Sequence, residues 1–81
     1  MNFESLTQKI NEALKEKEIF VDNIEYVTKG KYNFLEVTLD KVGGIDLDGI
    51  VDATKIVNEV VDGANITDDS YILDVVSKER G

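Results

Sequence analysis

From Phe34 to Asp62 the chain reads as a strand, a Gly-Gly break and a capped amphipathic helix in direct succession, and this run limits the fold more than any other stretch. Leu35, Val37 and Leu39 alternate with Phe34, Glu36 and Thr38, the period-2 pattern of a strand with one core face. Gly43-Gly44 then breaks the chain, and Asp46 stands where a helix N-cap is wanted. Asp48 and Asp52 lie in or near the first turns, where negative charge meets the positive end of the helix dipole. Leu47, Ile50, Val51, Thr54, Val57, Val60 and Val61 give this helix its apolar stripe, with Gly63 as a left-handed terminator after Asp62. Its many β-branched residues make it weak alone, so packing must hold it.

The flanking segments extend the pattern. Phe3, Leu6, Ile10, Ala13 and Leu14 fall on one helical stripe, started by a Ser5/Gln8 capping box or by Asn2. A strand is expected from Ile19 to Thr28, a turn at Lys29-Gly30-Lys31, and a second strand from about Tyr32 to Asp40, together an antiparallel hairpin. A last strand is expected from Ser70 to Ser77, with Tyr71, Leu73 and Val75 alternating against Ile72, Asp74 and Val76. The order is α-β-β-α-β. The expected fold class is an α/β two-layer sandwich, two helices packed on one face of a three-stranded sheet. The third strand runs in the direction of the second, but its place in the sheet is open. Leu6, Ile10, Leu35, Val37, Leu39, Ile50, Val57, Leu73 and Val75 are the expected core.

Composition narrows the chemistry. The 81 residues suffice for one domain, and they include no Cys and no His. That removes disulfides, thiolate metal sites, cysteine nucleophiles and the commonest general base, so no catalytic residue, metal site or cofactor is assigned. The net charge of −8 is concentrated between Asp40 and Asp74, where nine acidic residues face two basic ones. Such a segment repels a phosphate backbone and attracts a basic protein, although solubility alone also explains it. Arg80 is the single arginine, which further weakens a nucleic-acid reading. No apolar stretch approaches membrane-span length, and the N-terminus lacks a signal peptide's basic and apolar regions, so the expected location is cytoplasmic.

Individual motifs add little by themselves. A calcium loop starting at Asp46 would need Gly at Val51 and Glu at Val57. Gly43-Gly44 lacks both the third glycine of a dinucleotide fingerprint and the Gly-Lys-Ser/Thr of a P-loop. There is no Gly-x-x-Gly loop of the KH type, although the element order is loosely KH-like. Tyr26, Tyr32, Phe34 and Tyr71 are a possible base-stacking set, without interleaved arginine.

The second strand through the second helix resembles the N-terminal domain of the ribosome maturation factor RimP family. Leu39-Asp40 matches the family's strand-ending hydrophobic-Asp pair, Gly43-Gly44 its turn, and Ile45-Asp46-Leu47-Asp48 most of its helix start. Thr54 stands at a family Ser, Val61-Asp62 at a closing Leu-Asp, and Tyr71-Ile72-Leu73-Asp74-Val75 at Tyr-x-Leu-Glu-Val. Gly49 replaces the family's second Asp, and Val76-Ser77-Lys78-Glu79 replaces its Ser-Ser-Pro-Gly. The expected organisation is a single domain over residues 1–81, without the family's C-terminal β-barrel domain. The resemblance implies a non-catalytic cytoplasmic assembly factor for the small (30S) ribosomal subunit, acting through a basic ribosomal protein near the decoding centre, with weak or no direct nucleic-acid binding. The candidate partner-binding residues are Asp40, Gly43, Gly44, Asp46, Asp48, Asp52 and Asp74. A KH-like RNA-binding module and a generic protein-interaction domain are the alternatives.

Overall fold

In a computed structural model, which describes residues 3–78, Leu35, Val37 and Leu39 are fully buried at the centre of the molecule. They lie on β2 (Tyr32–Asp40), the middle strand of a three-stranded sheet. β1 (Phe20–Lys29) pairs with it antiparallel, through a two-residue turn that puts Gly30 at φ +62. β3 (Ile72–Ser77) pairs with the other edge of β2 in parallel, which settles the strand order as β1-β2-β3. The helices α1 (Glu4–Leu14) and α2 (Leu47–Ala64) bring Leu6, Ile10, Leu14, Ala53, Val57 and Val61 into one buried cluster with the β2 residues. The two-layer α-β-β-α-β architecture expected from the sequence is the one observed.

Several local expectations need correction. The Ser5/Gln8 capping box does not form: Phe3 occupies the N-cap of α1 with no side-chain bond, and the Thr7 N–H closes the first turn on the Phe3 carbonyl at 2.8 Å. The alternative cap, Asn2, lies outside the described residues. Ala13 is exposed, because Leu6, Ile10 and Leu14 at four-residue spacing already fill the buried stripe. α1 tightens into a 3₁₀ turn at Lys15–Lys17 and stops at Glu18, which is left-handed at φ 60. α2 runs past Gly63 and ends at Asn65, φ 48, with Ala64 still packed against the core. Ile50, Leu73 and Val75 pack against the core but are only partly buried. For Leu73 and Val75 the reason is their place on an edge strand with a neighbour on one side only.

One side chain ties the helix layer to the sheet, and two aromatic rings meet across the sheet. Asn11 on α1 accepts the Val21 N–H through Oδ1 at 2.7 Å, beside an irregularity in β1 between Val21 and Asn23. Tyr26 and Tyr71 meet edge to face, with centroids 6.3 Å apart. Burial, then the charge of Asp62 and the Tyr26 phenol, hold the Tyr71 hydroxyl above its ordinary value of 10.0.

Candidate functional site

The chain leaves the sheet at Asp40, which is buried and accepts the Lys41 N–H on Oδ1 at 2.8 Å. A turn follows, closed by the Gly44 N–H on the Lys41 carbonyl at 2.8 Å. Gly43 and Gly44 sit at φ +87 and +92, a region that L side chains rarely adopt, so the turn depends on both glycines. The turn holds Val42 at its tip, 87% exposed. Asp46 then caps α2, its Oδ1 accepting the Gly49 N–H at 2.7 Å, as the sequence predicts.

Beyond the cap, the helix start departs from expectation. Leu47 is 78% and Val51 47% exposed, although both belong to the apolar stripe expected from the sequence. The buried stripe is carried instead by Ala53, Val57 and Val61, and Leu47 and Val51 fall to one side of it. Periodicity alone assigns them to the stripe because Leu47, Ile50, Val51 and Thr54 follow one another at helical spacings of three, one and three. At about 100° per residue, Leu47 and Val51 lie roughly 80° and 120° round the helix from the centre of the stripe formed by Ala53, Val57 and Val61. Leu47 and Val51, four apart, therefore form an exposed apolar strip beside Asp48 and Asp52, also four apart. These two hydrophobic residues, with Val42, are the surface features that the sequence reading missed.

Between this helix start and the 3₁₀ turn lies an open groove of about 580 Å³. Its lining combines the acidic Glu16, Glu18 and Asp46 with the basic Lys17 and Lys41 and includes Gly43 and Gly44. Lys17 Nζ reaches Asp52 Oδ2 at 3.7 Å across one rim. Both groups are well exposed, so the pair adds little stability, and part of the Asp52 charge is balanced.

Of the seven candidate residues, six thus gather at one end of the molecule: Asp40, Gly43, Gly44, Asp46, Asp48 and Asp52. Asp74 does not join them. It lies in β3 in register with Glu36, on the sheet face turned away from the helices. Among the described residues no three acidic side chains converge as a metal-binding group would. The four aromatic residues are divided too: Tyr26 is in register with the buried Leu35, whereas Phe34 belongs to the opposite face and Tyr32 is 62% exposed. They form no continuous stacking platform. Among the described residues no helix is long and apolar enough to cross a membrane.

The strand-turn-helix geometry just described is that of the motif on which the family resemblance rests. A family model described as the RimP N-terminal domain matches residues 9–78, most of the chain. The match takes in the hairpin, the Gly-Gly turn, the capped helix and the final strand, and the chain belongs to the RimP N-terminal domain family of ribosome maturation factors.

Proposed function

We propose that this domain assists maturation of the small (30S) ribosomal subunit in the cytoplasm, without catalysis, by docking the N-terminal end of α2 on a basic ribosomal protein near the decoding centre. The observation that carries the reading is the mixed surface at that end. Three exposed apolar side chains, Val42, Leu47 and Val51, are interleaved with the exposed carboxylates of Asp46, Asp48 and Asp52. Protein interfaces join apolar anchors to complementary charge in this way. Gly43, Gly44 and the buried Asp40 serve it by fixing the loop that presents Val42. Asp74 lies outside this surface. The same carboxylates oppose approach to a phosphate backbone, so free RNA is a poor ligand.

Charge reversal at Asp52 is the direct test. Asp52→Lys should slow association with the isolated basic ribosomal protein by several-fold at low salt and flatten the salt dependence, with folding stability changed by less than about 1 kcal/mol. Leu47→Ser should instead speed dissociation. Equal association rates for Asp52→Lys and parent at low salt exclude this end as the docking surface. Tight, salt-sensitive binding to free ribosomal RNA favours the RNA-binding alternative.

A further inference from the structure

The sheet face turned away from the helices carries an ordered pattern. Val27, Phe34 and Ile72 are in register across the three strands, and two residues along each strand come Glu25, Glu36 and Asp74, again in register. None of the three apolar side chains belongs to the core cluster or packs against it, and Ile72 is 47% exposed. No described element covers this face.

The carboxylate row works against the fold. Like charges directly opposite on neighbouring strands are destabilising, and a face that merely met solvent would gain by alternating their sign. The domain balances the row only in part. Lys29 Nζ lies 3.5 Å from Glu36 Oε2, and the Asn23 side-chain amide donates to Glu25 Oε1 at 3.2 Å. Among the described residues the Asp74 carboxylate has no hydrogen-bond or ion-pair partner. An apolar row beside an under-neutralised acidic row sets the chemistry of an occupant. It must bring apolar side chains and, about 7 Å away along the strand direction, cations. An extended polypeptide has that spacing between residues i and i+2 on one face.

We infer that the open sheet face is a second docking surface, for an extended basic polypeptide segment of the pattern apolar-x-Lys/Arg lying along the strands. A second copy of this chain does not fit, since the same face of a twin brings three more carboxylates and, among the described residues, only Lys29 paired with them. Nucleic acid does not fit either, since its phosphates would meet the same row. The surface is on the opposite layer from the start of α2, and the inference does not depend on the proposed function.

The test uses the full chain, isotope-labelled for backbone amide spectra. Two synthetic peptides of matched length are titrated at low and high salt, one repeating Val-Thr-Lys-Thr and the other Val-Thr-Glu-Thr, with a single-stranded RNA oligonucleotide as a third ligand. The lysine peptide should shift amides of β1, β2 and β3, more tightly at low salt, and the glutamate peptide should not. Glu36→Gln with Asp74→Asn should weaken the lysine peptide about fivefold, as the loss of two exposed charge pairs would. Ile72→Ser should weaken it through the apolar row, and Asp52→Lys should leave it unchanged. The amide substitutions keep side-chain shape and relieve repulsion, so the variants remain folded, which the same spectra check. Equal behaviour of the two peptides, shifts confined to α2, binding by neither peptide, RNA on the same amides, or dimerisation through this face in sedimentation would each overturn the inference.

Discussion

Gly49 sits where a β-carbon would lie 2.9 Å from Asp46 Oδ1 and 3.1 Å from Ile45 Cγ2. The cap and the glycine therefore form one device, since the carboxylate that accepts the Gly49 N–H occupies the space a side chain would need. The family resemblance implies an Asp at this position, and a side chain there would meet the cap at these distances. Replacing Gly49 by Ala sets two effects of similar size against each other. Helix propensity gains up to about 1 kcal/mol, and a disturbed cap loses about the same. Gly49→Ala should be near neutral and Asp46→Ala should cost about 1 kcal/mol. Gly49→Ala made on top of Asp46→Ala, with the obstructing carboxylate gone, should then stabilise by up to about 1 kcal/mol. Urea denaturation of the four proteins closes the cycle, and additive effects would show that the two residues are independent. Asp46 as a cap was legible in the sequence; the dependence of that cap on Gly49 was not, because it rests on an atomic clearance.

At the level of elements, the sequence pattern locates the buried face of a strand more sharply than that of a helix. Alternation located the buried face of β2 residue by residue, since a strand between two neighbours has only two faces to choose from. Helical stripes are less decisive at their margins: Ala13 and Leu47 lie beside the buried stripe and Val51 farther round the helix, all of them exposed. The link from α1 to β1 left no pattern at all. Asn11 spends its side-chain oxygen on the Val21 N–H beside the irregular pairing of β1, where the neighbouring strand does not serve that group regularly. Asn11→Ala should leave this donor unmade and cost about 1–3 kcal/mol, whereas Glu12→Ala, one residue along on the exposed side, should cost under about 0.5 kcal/mol. Amide hydrogen exchange at Val21 should accelerate in the first variant only; unchanged protection there would show that water or another group takes over the bond.

For the molecule as a whole, element order and the two-layer arrangement followed from sequence, and strand order did not. A parallel third strand is compatible with either edge of the hairpin by direction alone, and the choice depends on where α2 can return the chain while burying Ala53, Val57 and Val61. The six clustered candidate residues came together because they are neighbours in sequence around one turn. Asp74 was separated from them by the alternation of β3, which turns it away from the face where Leu73 and Val75 meet the core. The central place of β2 also has a consequence during synthesis. Its partner on one side precedes it in the chain, but its partner on the other side is the last of the described elements to be made. At roughly 5–20 residues per second, several dozen residues beyond β2 must be translated before that edge is closed, and until then Leu35, Val37 and Leu39 lie beside a row of unpaired backbone groups. A chain stopped after Ala64 should therefore fail to give a cooperative unfolding transition and should self-associate. Adding a separate peptide that spans β3 should restore the transition, and cooperative unfolding of the shortened chain alone would show that the hairpin and two helices suffice. The nascent domain thus stays open to adhesion or to a chaperone until nearly its last described strand has emerged.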